Sequence, residues 1–225
     1  MNKNISWIIC KTYWILKKLP IVNKPLRNIV YTKSIQNLFL LQKILSNTQF
    51  SEKYWVIGGV LLGWVRELDI LPGNEGDIDF ALNSLDEKQF LEIIPLLKAV
   101  GFQPYTKWKN NSGQITEYVL LKDGCKFEFF LMFEFEDKFR YFGYSKMKKG
   151  KFQTSVFEAM SEIEKHKLSK MTIFNVPFLV PENPQEWLSE RYGNWNEPIP
   201  EYRFIENELP IVYRAVWIGN NNWNK

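Results

Sequence analysis

The feature that most constrains the fold is a strand, turn and helix pattern between residues 54 and 82. Tyr54-Trp55-Val56-Ile57 is a short apolar run typical of a buried strand, and it stops at Gly58-Gly59. Val60 to Arg66 then has the apolar spacing of a helix. Asp77 to Leu82 alternates polar and apolar residues, as a half-buried strand does. The local order is therefore strand, double glycine, helix, strand.

Helix and strand signals continue on both sides of this region. Ser34 to Asn47 and Asp86 to Val100 each carry leucine, isoleucine or phenylalanine at helical spacing, which predicts two core-packing helices. Ile115 to Leu121 and Lys126 to Glu134 predict two strands joined by the turn Lys122-Asp123-Gly124. This order of helices and strands predicts an α+β fold, with a mixed sheet flanked by helices.

The last third of the chain is less regular. It predicts a polar loop through residues 145–150, a strand from Ile173 to Val180 and a short helix from Gln185 to Arg191. With 225 residues and 45% apolar content, the chain can bury one sizeable core. We therefore divide it into an N-terminal helical arm, residues 1–50, and one domain, residues 51–225.

The arm differs from the rest of the chain in charge. Residues 1–51 hold eight Lys or Arg and no acid, whereas the remainder holds 21 bases against 25 acids. Its mixture of Trp, Tyr and Lys suits a peripheral contact with a membrane surface. Packing of its aromatic face on the domain or on a second subunit is the open alternative. Because the excess of positive charge is confined to the arm and the remainder is net negative, we expect no nucleic-acid partner.

Asp77 and Asp79 are the strongest candidates for chemistry. They lie two residues apart on the predicted strand, so their side chains project from the same face and repel each other unless a cation lies between them. Carboxylate oxygens favour Mg²⁺, with Mn²⁺ as the alternative. Two cysteines and one histidine are too few for a zinc site of the usual kind. The sequence therefore predicts a magnesium site at Asp77 and Asp79.

Three neighbouring features extend this candidate site. Gly58 and Gly59 at a strand–helix junction allow backbone amides to approach a phosphate, although a tight turn is the commoner explanation of a glycine pair alone. Glu128 lies among aromatic residues on a predicted strand, where a carboxylate is costly unless it is paired or liganded. Lys146 and Lys148 are positioned to receive donor phosphates, or else belong to a solvated charge run.

The sequence resembles the LicD/fukutin family in two segments. The first runs from Gly58-Gly59 through Leu61-Leu62-Gly63 and Arg66 to Asp77-Ile78-Asp79. The second runs from Val180-Pro181 through Tyr192-Gly193 to Pro198. Many members carry a denser acidic run before the Asp-x-Asp, where this chain has Gly73-Asn74-Glu75-Gly76. Glu75 either adds an oxygen ligand or leaves the site without that extra acid.

The resemblance implies a nucleotidyltransferase-like fold and a metal-dependent phosphotransferase. Such an enzyme moves phosphocholine, ribitol phosphate or glycerol phosphate from a CDP-linked donor to a sugar hydroxyl of a glycan or lipid-linked glycan. It implies that Asp77 and Asp79 bind the metal, that Glu128 is the third acid and that Arg66 occupies the position of the family's arginine. We expect a cytoplasmic enzyme, with the arm able to contact the inner membrane face.

Two other functions are compatible with the same residues. The Gly-Gly and Asp-x-Asp elements would also serve a nucleotidyltransferase that attaches a nucleotide to a small molecule or protein. A non-catalytic glycan-binding scaffold would keep the fold without the metal. The group carried to the acceptor distinguishes the two enzymes, and magnesium-dependent nucleotide binding distinguishes both from the scaffold.

Overall fold

A computed structural model of the protein describes residues 8, 12, 20–149, 153–199, 202 and 207–218. The helices of this part of the chain are α1 (Pro20–Leu45), α2 (Gly58–Glu67), α3 (Glu87–Ala99) and α4 (Pro184–Tyr192), and a 3-10 turn at Ser84–Asp86 precedes α3. The strands are β1 (Tyr54–Val56), β2 (Asp77–Asn83), β3 (Gln103–Lys109), β4 (Ile115–Lys122), β5 (Cys125–Phe135), β6 (Lys138–Lys149), β7 (Gln153–Glu164), β8 (Leu168–Ile173), β9 (Val176–Pro181) and β10 (Ile211–Ile218).

One large mixed sheet organises these elements. Eight strands form it. Six of them follow the order β1-β2-β5-β6-β7-β10, and the other two lie off this path, with β4 paired to β5 and β3 paired to β4. β2 and β5 pair in parallel, whereas the other pairs are antiparallel. β8 and β9 form a separate hairpin. Parallel and antiparallel strands combined with helices confirm the predicted α+β fold.

The eleven-residue strand β5 is the junction of the sheet. Its first part lies between β2 and β4, and its last three residues, Phe133 to Phe135, pair with β6. Every other strand of the large sheet therefore either pairs with β5 or is linked to β5 through one or two intervening strands. The two predicted strands joined at Lys122-Asp123-Gly124 are β4 and β5, which confirms that hairpin.

The sheet has an apolar face and an acidic face around β2 and β5. Successive side chains of a strand point to opposite faces, and Ile78, Phe80, Phe127 and Phe129 share the face that is fully buried. Phe129 stacks on Phe80 with ring centroids 5.1 Å apart, and Phe90 of α3 contacts Phe129 at 4.7 Å. The core therefore lies on this face, which leaves the other face of the same strands to carry the acids.

Helix α1 is part of this core. Val30, Leu38, Leu41 and Leu45 are fully buried in it, which confirms the core-packing helix predicted for Ser34 to Asn47. Most of the arm's aromatic stretch before residue 20 lies outside the described residues. Among the described residues, no helix combines the length and the apolar character that crossing a membrane requires.

Two predictions for the last third of the chain need correction. The strand expected from Ile173 to Val180 begins only at Val176, as β9, because Phe174 and Asn175 turn the chain away from β8 with φ values of 49° and 64°. The apolar side chain of Phe174 suggests a strand residue in the sequence. In the structure Phe174 lies at the turn, where its ring packs on Trp64 with the ring centroids 4.8 Å apart. The polar loop expected through residues 145–150 belongs to β6 up to Lys149, because β7 supplies a pairing partner for that polar segment.

Candidate functional site

Three carboxylates meet on the acidic face of β2 and β5. The parallel register places Asp79 opposite Glu128, and Asp77 lies two residues before Asp79 on the same face. One ligand oxygen from each of Asp77, Asp79 and Glu128 lies within 4.8 Å of the others, so the cluster could hold a metal ion. The structure therefore brings together the three acids that the sequence singled out. Their catalytic role stays a prediction.

Lys126 is the cation of this cluster. Its position in β5 is opposite Asp77, and its Nζ lies 2.8 Å from Asp77 Oδ1 and 3.0 Å from Glu128 Oε1. Burial lowers the pKa of the Lys126 ammonium, but the charges of Glu128 and Asp77 outweigh burial and raise it above its usual range. The sequence-based predictions did not include Lys126, since its partner on β2 becomes known only from the strand register.

Glu117 of β4 is a fourth acid of the same face. It is 4% exposed, and its strand position opposite Phe130 places it on the side of the sheet that carries Glu128. Burial raises the pKa of the Glu117 carboxyl, and the charge of Glu128 raises it further. The sequence held a signal for it, because Glu117 interrupts an apolar strand as Glu128 does.

The proximity of the acids changes the proton affinity of the cluster. Burial raises the pKa of Asp79 to about 7, with further contributions from the charges of Asp77 and Glu128. Arg191 and the backbone N–H of Gly59 act in the opposite direction on Asp79. Burial also raises the pKa of Glu128, although Lys126 lowers it. A cation between these groups would relieve the repulsion that holds protons on them.

The glycine pair at the start of α2 makes room for this cluster. Gly58 has φ +64°, and a Cβ built on it would lie 2.0 Å from Asp79 Oδ2. A Cβ on Gly59 would lie 1.8 Å from Nδ2 of Asn74. The Gly59 N–H donates to Asp79 Oδ2 at 3.2 Å. Gly58 thus allows the chain to pass close to Asp79, Gly59 leaves room for Asn74, and the Gly59 amide orients the Asp79 carboxylate.

The other predicted site residues have different surroundings. Arg66 lines the same cavity, with its Nε 2.9 Å from Glu67 Oε1 and its Nη1 donating to the Trp195 carbonyl at 3.2 Å. Lys146 and Lys148 lie in β6, opposite Val156 and Thr154, and their side chains are outside the described part of the structure.

Glu75 is held away from a ligand role by its own partners. Its Oε1 accepts from Nε of Arg27 at 2.8 Å and from Nη2 at 2.5 Å, and its Oε2 accepts from the Gly73 N–H at 2.8 Å. Both oxygens of this nearly buried carboxylate are therefore engaged with α1 and with its own turn. Of the two roles left open for Glu75, the structure does not support the additional metal ligand.

Arg191 of α4 is a further charged residue that the sequence-based predictions did not assign to the site. Its Nε donates to Oε1 of the buried Glu208, and its guanidinium lies 5.5, 5.3 and 5.2 Å from the ring centroids of Tyr141, Trp187 and Tyr192. It is directly adjacent to the Tyr192-Gly193 pair. The ion pair and the rings hold Arg191 in place at the cavity wall, where its charge lowers the pKa of Asp79.

The acids lie in a cavity of about 900 Å³ with aromatic walls. Trp108 and Tyr144 stack on one another at 4.8 Å with an interplanar angle of 4°, and both line the cavity. Tyr192 and Trp195 also line it. Trp187 is 3% exposed and packs in the core instead. The cavity can therefore offer flat apolar surfaces above a polar base.

The chain has a relative among known proteins. No protein-family model matches the chain. The chain is similar to the uncharacterized protein RT0683 of Rickettsia typhi, with 28% identity over 150 residues. The matched region is 67% of this chain and 43% of that protein, so the chain spans less than half of the relative's length. The relative's name states no activity.

Substitution of Gly58 tests whether the glycine pair serves the carboxylates. Gly58→Ala and Gly113→Ala both place a side chain at a positive φ, +64° and +85°, which we expect to cost each variant about 1–2 kcal/mol of stability. Only Gly58→Ala displaces Asp79, because a Cβ on Gly113 meets nothing within 4 Å. We expect Mn²⁺ binding, measured by calorimetry, to be lost in Gly58→Ala and kept in Gly113→Ala. Equal binding by the two variants would contradict this role.

The raised pKa of Asp79 predicts how the metal-free protein responds to pH. The folded protein keeps the Asp79 proton up to about pH 7, whereas the unfolded chain releases it near the ordinary value of 3.8. Between these values the folded state binds more protons, so the free energy of unfolding falls as pH rises. We expect urea unfolding in EDTA to show this fall between about pH 4 and 7. Asp79→Asn should reduce the fall, since Glu117 and Glu128 still contribute to it, and the exposed Asp137→Asn should leave it unchanged. An unchanged slope in Asp79→Asn would refute the assignment.

Proposed function

We propose that this protein is a metal-dependent phosphotransferase that moves a phospho-alcohol from a CDP-linked donor to a sugar hydroxyl. The observation that carries the proposal is the cluster of Asp77, Asp79 and Glu128 at the base of an aromatic-lined cavity. The resemblance to the LicD/fukutin family supplies the identity of the donor. Phosphocholine, ribitol phosphate and glycerol phosphate are the transferred groups that it implies.

The donor set suits a hard divalent cation. Asp77, Asp79 and Glu128 offer only carboxylate oxygens, which Mg²⁺ and Mn²⁺ prefer over nitrogen or sulfur ligands. The repulsion among the acids favours a bound cation. When bound, Mg²⁺ would neutralise charge on the donor's phosphates. We assign Asp77, Asp79 and Glu128 as the residues that would hold it.

The protein's part in the reaction is to position the two substrates and to take up one proton. The acceptor hydroxyl oxygen forms a bond to the donor's β-phosphorus, the bond from that phosphorus to the bridging oxygen breaks, and CMP leaves. A carboxylate of the cluster accepts the hydroxyl proton.

The cavity walls are suited to the rest of the donor. The rings of Tyr192 and Trp195 provide faces for a cytosine base or a sugar, and stacking on such faces does not require base-specific hydrogen bonds. Arg66 and Arg191 add positive charge to the wall, which favours an anionic donor. The volume of about 900 Å³ lies within the range of small-molecule and cofactor sites.

The proposed acceptor is a sugar hydroxyl of a cell-surface glycan or of its lipid-linked precursor. A cytoplasmic enzyme that works on a lipid-linked acceptor would act at the inner face of a membrane. The concentration of eight basic residues and no acid in residues 1–51 supports a peripheral contact of the arm with such a surface.

Binding and transfer assays test this function directly. We expect one of CDP-choline, CDP-ribitol and CDP-glycerol to bind in Mg²⁺ and not in EDTA, and its labelled phospho-alcohol to reach a sugar acceptor. Asp77→Asn removes one ligand charge and should lower the transfer rate by about 100-fold or more, since even indirect support of a metal ligand contributes about 10–100-fold. Asp137→Asn, at an exposed turn outside the cavity, should leave transfer unchanged.

Other outcomes would point to the alternative functions. Preference for CTP or ATP, with the nucleotide appearing on the acceptor, would replace the phosphotransferase by a nucleotidyltransferase. Absence of magnesium-dependent binding of any nucleotide, together with full stability of Asp77→Asn and Asp79→Asn, would support a non-catalytic scaffold. Transfer that survives in both aspartate variants would refute the proposed role of the cluster.

A further inference from the structure

Lys126 lies in the space that a metal ion would use. Its Nζ is 2.8 Å from Asp77 Oδ1 and 3.0 Å from Glu128 Oε1, and both of these residues belong to the candidate ligand set. A divalent ion bonds to carboxylate oxygen at about 2.0–2.1 Å, so an ion that shares Asp77 Oδ1 with the ammonium would lie within about 5 Å of it. The ammonium and the metal therefore compete for the same oxygens and repel each other.

Among the cations on the described cavity wall, Lys126 is the one suited to move. Arg66 is engaged with Glu67 and with the Trp195 carbonyl, and Arg191 is held by Glu208 and by surrounding rings. The Lys126 side chain is 29% exposed and lines the cavity. A lysine carries a compact charge on a flexible four-carbon stem, and its three donors can be redirected to a new acceptor.

We propose that Lys126 couples metal binding to the arrival of a phosphate-containing ligand. Without a ligand, its ammonium neutralises Asp77 and Glu128 and keeps the affinity for divalent metal low. When metal and ligand bind together, the ammonium leaves these carboxylates to the metal and pairs with a phosphate oxygen. The coupling is reciprocal, so the metal also raises the affinity for the phosphate ligand.

This inference rests on the metal site of the proposed function, and it does not depend on which group is transferred. It assigns Lys126 a positioning role toward the acids and a contact with the ligand's phosphate. A purely structural Lys126 would instead hold Asp77 and Glu128 together, and its loss would weaken metal binding by loosening the cluster. The two roles therefore predict opposite changes in metal affinity.

Titration with Mn²⁺ and inorganic pyrophosphate separates these roles. Lys126→Met keeps most of the apolar stem and removes the charge. We expect it to bind Mn²⁺ at least about five-fold more tightly than the wild-type protein in the absence of any anion. At saturating Mn²⁺ it should bind pyrophosphate about ten-fold more weakly, a loss equivalent to about 1.4 kcal/mol. Calorimetry on the full chain measures both affinities.

Two further variants keep the test interpretable. Lys53→Met removes an ammonium that pairs with Asp86 away from the cavity, and both affinities should stay at their wild-type values. Lys126→Arg keeps the charge on a larger, planar group, so Mn²⁺ affinity without anion should stay low while pyrophosphate no longer raises it to the wild-type extent. Thermal unfolding in EDTA establishes that each variant is folded, and Lys126→Arg supplies the test should Lys126→Met not fold.

Each result decides a different claim. Unchanged or weaker Mn²⁺ binding by folded Lys126→Met, or undiminished pyrophosphate affinity, would overturn the coupling and leave the metal site intact. Failure of the wild-type protein and of both Lys126 variants to bind Mn²⁺ would overturn the metal site itself, and the proposed function with it. Tighter Mn²⁺ binding with weaker pyrophosphate binding would support the coupling even if the transferred group proved to be a nucleotide.

Discussion

Electrostatic repulsion among acids on one face of the sheet is the constraint on which the site depends. Asp77, Asp79, Glu117 and Glu128 come from three adjacent strands, and their burial raises the pKa of three of them. Such a cluster is costly unless positive charge balances it. Lys126 supplies one charge inside the cluster, and the absence of a side chain at Gly58 lets the chain pass close to Asp79. The rest of the fold holds these groups in one place. The aromatic core is buried on the apolar face of β2 and β5, and this burial fixes the pairing register of the two strands and hence the positions of the acids on the opposite face.

The central part of the fold could be predicted because its local patterns agree with its tertiary structure. The apolar run at Tyr54 to Ile57, the glycine pair and the alternation at Asp77 to Leu82 each indicate one conformation, and packing reinforces it. The strands β3, β7 and β10 escaped prediction because polar and exposed residues weaken their alternation, and long-range pairing stabilises them instead. The same limitation explains why Lys146 and Lys148 were placed in a loop. They lie in β6, and pairing with β7 stabilises this polar part of the strand.

The candidate site shows a similar division. Asp77 and Asp79 are two residues apart on one strand, so the alternation of side chains along a strand is enough to place them on one face. Glu128 could be predicted because a carboxylate among aromatic residues is unexpected. Lys126 and Arg191 could not be assigned in this way. The position of Lys126 beside Asp77 depends on the parallel register of β2 and β5. The position of Arg191 depends on the packing of a helix that lies more than a hundred residues from β2 in sequence. Sequence patterns therefore identified the acids, whereas the balancing charges required the three-dimensional structure.

The most direct test of the account is the location of a bound ion. Crystals of the full chain grown with Mn²⁺ and CDP, measured for anomalous scattering of manganese, would show where the metal binds. We expect a manganese peak about 2.1 Å from oxygens of Asp77, Asp79 and Glu128, since Mn²⁺ bonds to carboxylate at about the same distance as Mg²⁺. A manganese peak elsewhere in the cavity, or no peak at these carboxylates in crystals that contain CDP, would contradict the central claim that this acidic face is a metal centre for phosphate chemistry.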